Sequence, residues 1–385
     1  MTTEKDNSRH NQEFTIRQVF DLFMKFRNRR ISTTKLYSFA FRLFAESVGN
    51  EDLPLSTVKD SDMSEFIDSL SAKYAGNSAY IIYRIIKSMF NYAEQHYYIE
   101  KNPCNFVDSR CKLLRCHHHQ ALSERQMSAC EDDYWRWMAK EHPERVKKIM
   151  EEARNKRFYH LCFIMGYYLQ GLALVDLLSL KIENIKQRQL GGRLAYVIET
   201  NRRKTGKGLK IVIPSNHIRR YKLFSMLYDT AIEGKKTHLF GFMDECAIDE
   251  LTMYNKVSGI SCSLSRKLKQ WWRQLNYTVL NDNPIDLTTT SYYSCRHTFA
   301  TLYLQNPQAN LSELATLMGR NTEYIDTYVR EIESEKVLSS ATDKVYGPKT
   351  KSREDAERDI ILSNQEKIME MQMKILEKLE KRRKK

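Results

Sequence analysis

From Phe14 to Ala93 the apolar residues recur at steps of three and four, which confines the first part of the chain to helices packed side by side. Ile16, Val19, Phe20, Phe23 and Phe26 form one stripe. Ser32 stands where it would cap a second helix, with Leu36, Phe39, Leu43 and Phe44 facing inward. Asp60-Ser61-Asp62 opens a third, carrying Phe66, Ile67 and Leu70. Asn77 or Ser78 caps a fourth, with Ile82, Ile85, Ile86, Met89 and Ala93 on one face. That helix is expected to stop before Asn102-Pro103, because the residue before a proline is pushed out of the helical region. Four such helices make a small bundle. Arg84 and Lys87 lie opposite the fourth helix's apolar stripe, as either a solvated face or a set of phosphate contacts.

Periodicity then lapses into a basic, polar linker, and a second folding unit begins at Ala121-Leu122-Ser123-Glu124, where Ser123 can cap a helix. Cys130 to Asn155 is highly charged and reads as a surface helix or an insertion, followed by a strongly apolar helix around Phe158 to Tyr168. Tyr196-Val197-Ile198 and Leu209 to Ile213 are short β-type runs, and the turn between them, Asn201 to Gly208, contains glycine, so they read as a hairpin. Beyond residue 217 the pattern is again mostly helical. Gly347-Pro348 marks another break. In the tail, Ile361, Ile368 and Ile375 are spaced by seven, which suits a solvated or partner-binding helix but is too short to establish a coiled coil.

A chain of 385 residues allows about two domains. Its formal charge of +14 favours a polyanionic partner, most commonly nucleic acid. The polar N-terminus lacks a signal core, and the most apolar run, Leu161 to Leu169, is far below the ~20 residues needed to span a bilayer, so a cytosolic location without membrane contact is expected. The eight cysteines include no CxxC pair. Cys116-His117-His118-His119, with Cys111 nearby, has no second ligand pair at zinc-finger spacing, and a polar linker is the better reading, so no metal is expected.

The segment Ser291-Tyr292-Tyr293-Ser294-Cys295-Arg296-His297-Thr298-Phe299-Ala300-Thr301 places an Arg-His pair at the start of an otherwise apolar helix, a costly arrangement to bury. It has company. Upstream lie Gly171-Leu172-Ala173-Leu174-Val175-Asp176 and the hairpin with Lys204-Thr205-Gly206; downstream lie Leu314 to Arg320 and Thr327-Tyr328-Val329. In this order the elements resemble the tyrosine recombinase, or phage integrase, family over roughly residues 14–335.

The resemblance implies a mainly α protein: a flexible tail at 1–12, a four-helix, SAM-like core-binding domain at 13–105 and a linker at 106–120. A mostly helical catalytic domain with a small antiparallel β-hairpin sheet follows at 121–348, and a C-terminal helix for oligomerisation at 349–385. The implied function is site-specific recombination, integrating a mobile element through a 3′-phosphotyrosine, with Tyr328 as nucleophile and Tyr324 as its only close rival. Arg296 is then the second catalytic arginine, Lys204 the general acid and Asp176 an acidic organiser of the site. Guanidinium groups suit the phosphate because their fork matches two oxygens and keeps its charge. The implied partners are duplex DNA, further copies of the chain in a tetramer on two DNA sites, and an accessory DNA-bending protein; no cofactor is implied. The implied setting is the prokaryotic cytoplasm, in association with the nucleoid.

Three positions depart from the family. Its first arginine is Ala173 here, the histidine or lysine before the second arginine is Tyr293, and the histidine or tryptophan after Gly319 is Arg320. Arg202 or Arg203, beside Lys204, are the candidates to reach the phosphate in place of the missing arginine, with Arg320 as a further positive group and Arg203 also a DNA contact. A resolvase or invertase of the same family, a degenerate DNA-binding protein and a topoisomerase are the rival readings.

Overall fold

The computed structural model describes residues 13–26, 30–74, 76–105, 120–140, 156–246, 249–306 and 308–320. The chain divides into two compact units, residues 1–325 and 326–385, the second lying outside the described residues, as does the possible zinc cluster at 111–119.

Four helices carry the first hydrophobic cluster: α1 (Ile16–Phe26), α2 (Ile31–Val48), α3 (Asp60–Lys73) and α4 (Gly76–Gln95). The stripe of α1 is buried as expected from Ile16 to Phe23, while Phe26 is 55% exposed. The start of α2 differs from expectation, and its inward face differs at one position. The helix begins at Ile31, with Arg30 rather than Ser32 as the capping residue. Phe44 is buried and Phe39 and Leu43 pack against the cluster as expected, whereas Leu36 is exposed and Ala40 and Phe41 are buried instead. Aromatic packing decides the rotation: Phe41 stacks on Phe20 with ring centroids 4.0 Å apart, and Phe44 meets Phe66 and Phe90 edge-on. At the start of α3 the Asp62 carboxylate accepts the Lys59 N–H at 2.8 Å. The α4 face is as expected, but the helix ends at Gln95, well before Pro103. Tyr97 adopts a left-handed φ of 60° and the Tyr98 N–H returns to the Ala93 carbonyl at 2.9 Å, so a local cap stops the helix before the proline acts.

The second cluster is built on α5 (Glu124–Lys140) and α6 (Lys156–Tyr168). Ser123 caps α5 reciprocally: its hydroxyl accepts the Gln126 N–H, and Gln126 Oε1 accepts the Ser123 N–H at 2.9 Å. The charged stretch after Cys130 is not a plain surface helix, because Cys130 and Tyr134 are fully buried; residues 141–155 lie outside the described residues. Helix α6 is buried along nearly its whole length. After the short α7 (Leu174–Leu178) comes an antiparallel meander of β1 (Ile185–Leu190), β2 (Arg193–Asn201) and β3 (Gly208–Pro214). Ile198 pairs with Ile185 on one side and Ile211 on the other. The expected hairpin is β2–β3. Strand β1 has no sequence signature, since only Ile185 faces the core.

The remaining helices are α8 (Ile218–Glu233), α9 (Glu250–Thr278), α10 (Ser294–Leu304) and α11 (Leu311–Leu317). Among the described residues no helix is long and apolar enough to cross a membrane.

A single carboxylate ties the loop after α8. Asp244 accepts the Thr237 hydroxyl at 2.6 Å and the N–H groups of Thr237 and His238 at 2.9 and 3.0 Å, with His238 Nδ1 2.7 Å away. Burial alone would raise its pKa, but these hydrogen bonds lower it to about 2. Its contribution is therefore complete above the unfolded carboxyl's pKa of about 3.9 and lost as the pH falls towards 2. Asp244→Asn is expected to lower stability by on the order of 2 kcal/mol at pH 7. The gap to wild type, measured by urea unfolding, should close between pH 4 and pH 2; a gap independent of pH would contradict this.

Candidate active site

Arg296 sits in the first turn of α10, 2% exposed. Its Nη1 donates to the Gly171 carbonyl at 2.9 Å and its Nη2 to the Met318 carbonyl at 3.0 Å. One guanidinium thus joins the end of α6, the start of α10 and the end of α11. The approach is so close that a Cβ on Gly171 would stand 2.6 Å from the Arg296 Cα, and Gly171 has a φ of 70°, so both space and backbone require glycine. Beside it the buried Tyr292 hydroxyl donates to the Leu172 carbonyl at 2.8 Å.

Asp176, on α7, is buried next to this junction. Its Oδ1 accepts the Arg203 N–H at 2.9 Å, and its Oδ2 lies 4.0 Å from Arg202 Nε. Burial pushes the Asp176 carboxyl above its usual range, opposed by the Arg203 N–H and by the charges of Arg202, Arg203 and Arg296. The carboxylate therefore ties the β2–β3 turn to α7.

That turn is closed by hydrogen bonds from the Arg202 N–H to the Lys207 carbonyl and from the Gly206 N–H to the Arg202 carbonyl, both 2.8 Å. Arg202 points inward, 8% exposed, and its Nη1 donates to the Gly319 carbonyl at 3.2 Å. Arg203 lays its guanidinium on Met253 Sδ. Lys204 is exposed, lining a cleft of about 770 Å³ with Arg203, Ala173 and Tyr293. Arg30, Ser32 and Thr33 at the start of α2 line its other side. Arg320 donates to the Tyr293 hydroxyl at 2.6 Å.

The structure thus gathers Asp176, Arg202, Arg203, Lys204, Tyr293, Arg296 and Arg320 from four separate stretches of chain. Arg84 and Lys87 are elsewhere. Arg84 is exposed over the Tyr80 ring, and the half-buried Lys87 donates to the Cys104 carbonyl at 3.2 Å within the helical bundle. Tyr324 and Tyr328 lie outside the described residues. Sequence reasoning missed Tyr292 and Thr298, whose hydroxyl accepts the Leu122 N–H at 2.8 Å; both sit within the motif around Arg296, but nothing in their spacing reveals a main-chain partner. It also missed Met253 and the cleft-lining Ser258, Ser261 and Ser265 of α9. Chemically, the arrangement offers guanidinium groups fixed by main-chain carbonyls and a solvent-facing ammonium beside a cleft, which suits an anionic substrate.

No family model matches the chain, and no curated protein matches it. Solved structures do. A lambda integrase dimer bound to a COC′ core site superposes with a TM-score of 0.55 at 15% identity, over 84% of this chain and 79% of that one. The Tn1549 transposon integrase in complex with a circular intermediate DNA gives 0.52 at 19% identity, over 82% and 94%. The chain has the tyrosine recombinase fold. A lambda integrase tetramer bound to a Holliday junction gives 0.53 at 15% identity, over 83% and 79%. The integrase fold is mostly helical here, with the small antiparallel sheet that carries Arg202 to Lys204 at its turn.

Because Gly171 abuts the Arg296 backbone, Gly171→Ala is expected to cost about 3 kcal/mol or more from overpacking and a left-handed alanine together. Chemical denaturation measures this; a loss below about 1 kcal/mol would show that the Arg296 contact is not tight.

Proposed function

We propose that the chain is a site-specific DNA recombinase that integrates a mobile element by cutting and rejoining strands through a 3′-phosphotyrosine. The observation that carries this reading is the burial of Arg296 beside Asp176, Arg202 and Lys204 on an integrase fold. The Tyr328 hydroxyl loses its proton to solvent water as its oxygen attacks the scissile phosphorus, a Tyr–O–P bond forms and the bond to the 5′ oxygen breaks. A tyrosine of pKa about 10 is a weak nucleophile at neutral pH, so the phosphate must be activated. Arg296, Arg202 and Arg320 stabilise the charge of the pentacoordinate phosphorus, and Lys204 gives its proton to the leaving 5′ oxygen. The phosphotyrosine conserves the energy of the broken bond for rejoining.

Arg202 takes the place of the arginine that the family has at the position of Ala173. Its support is its burial, its closeness to Asp176 and its bond to the Gly319 carbonyl. Asp176 orients this turn. Residues 13–105 and 121–348 act as core-binding and catalytic domains on duplex DNA, with Arg84 and Arg203 as DNA contacts and 349–385 as an oligomerisation helix. The working assembly is a tetramer on two DNA sites in the prokaryotic cytoplasm. Ala173 and Tyr293 favour a second reading, a DNA-binding protein that has lost cleavage.

Covalent trapping on a nicked duplex built from the DNA flanking the gene separates the two. Wild type and Tyr324→Phe are expected to form an adduct that survives a denaturing gel, and Tyr328→Phe none. Arg202→Ala is expected to slow its formation by about 100-fold. Salt-sensitive binding without any wild-type adduct would support the degenerate reading. An unchanged rate in Arg202→Ala would remove that residue from the phosphate.

A further inference from the structure

Two of the three departures from the family pattern touch each other. Tyr293 and Arg320 are far apart in sequence, yet the Arg320 guanidinium donates to the Tyr293 hydroxyl at 2.6 Å. We propose that Tyr293 is a positioning residue for Arg320, so that the phenol and the guanidinium replace two family side chains as one matched unit. This rests on the recombinase reading above and names a function for a residue which that reading leaves without one.

The surroundings of Arg320 support the assignment. Three consecutive residues after α11 are each held by a different side chain. The Met318 carbonyl accepts Arg296 Nη2 at 3.0 Å, the Gly319 carbonyl accepts Arg202 Nη1 at 3.2 Å, and the Arg320 side chain is held by Tyr293. Gly319 has a φ of 58°, and a Cβ there would press within 3.2 Å of Arg202 and Leu209, so the turn passes close over both. The Arg320 N–H closes onto the Ala315 carbonyl at 2.9 Å. The backbone that presents Arg320 is therefore fixed by the two arginines already placed at the phosphate, and only its long side chain still needs a direction.

Tyr293 supplies that direction from a fixed base. It is the residue immediately before α10, and its carbonyl accepts the Arg296 N–H at 3.0 Å. Its ring meets His297 edge-on with centroids 5.2 Å apart. It also lines the cleft shared with Ala173 and Lys204. An imidazole at 293 has a shorter reach than a phenol, and an imidazole or indole at 320 has neither the fork nor the permanent charge of a guanidinium. Changing one position alone would leave Arg320 without this acceptor or Tyr293 without this donor. Changing both gives a charge-assisted pair.

The test is a double-mutant cycle on single-turnover cleavage of the nicked duplex, using Tyr293→Phe, Arg320→Met and both together in the full chain. Each single variant is expected to slow adduct formation by about 10-fold or more, and the double variant to be no slower than Arg320→Met. Affinity for the uncleaved duplex should change by less than about 3-fold, because the pair acts on the transition state rather than on binding. A purely structural role would lower affinity and melting temperature together. Tyr293→His, whose shorter ring does not reach the Arg320 guanidinium, is expected to be about as slow as Tyr293→Phe, and it serves as the informative variant if Tyr293→Phe fails to fold; a wild-type rate in Tyr293→His would overturn the pairing. Multiplicative losses in the double variant, or a Tyr293→Phe rate within about 2-fold of wild type, would overturn the pairing while leaving the recombinase reading intact. No adduct from wild type would overturn both.

Discussion

A guanidinium sealed at 2% exposure is the constraint on which the site depends. Burying a permanent cation is costly unless its donors are occupied, and Arg296 meets that cost with the Gly171 and Met318 carbonyls. Those two bonds dictate much else. Gly171 must lack a side chain, and α6 and α10 must approach closely enough that a Cβ on Gly166 would clash with the Tyr292 hydroxyl at 2.6 Å. The turn after α11 must also pass over Arg202. Several local sequence choices with no common periodicity serve this one side chain.

The cleft shows the same economy of charge. Arg202, Arg203 and Arg296 surround one buried carboxylate, that of Asp176, whose proton affinity is raised by burial and lowered by those neighbours. The positive charges are held by main-chain carbonyls, a methionine sulfur and a phenol. Across the cleft, Lys35 of α2 donates to Asn255 of α9 at 3.1 Å and lies 4.5 Å from the centre of the Tyr254 ring. These contacts bring the helical bundle and the second core together at the cleft's edge.

Much of the fold was legible because apolar period and capping chemistry are local. The stripes of α1, α3 and α4, the cap at Ser123 and the β2–β3 hairpin follow from residues within a few positions of one another. The burial of Phe41 rather than Leu36 on α2 was not legible, because the stacking of Phe41 on Phe20 is a tertiary contact. The end of α4 depends on a left-handed Tyr97, a conformation for which tyrosine carries no signal. Strand β1 was silent because a single inward isoleucine makes no alternation. In the site, the arginines, Asp176 and the departures at Tyr293 and Arg320 were visible as residue types. Their mutual contacts were not, because most of their partners are backbone carbonyls, which every sequence possesses.

The central claim is that Arg296 holds the site together before any DNA arrives. Residue-resolved amide hydrogen exchange on the DNA-free protein, comparing wild type with Arg296→Lys, tests it directly. Lysine keeps the charge but loses the fork that reaches two carbonyls at once. The account predicts that the amides of Gly171, Gly319 and Arg320 lose protection together, while those of α4 in the bundle exchange as in wild type. Unchanged protection at Gly319 and Arg320 would mean that the turn after α11 stands without Arg296, and the claim would be wrong.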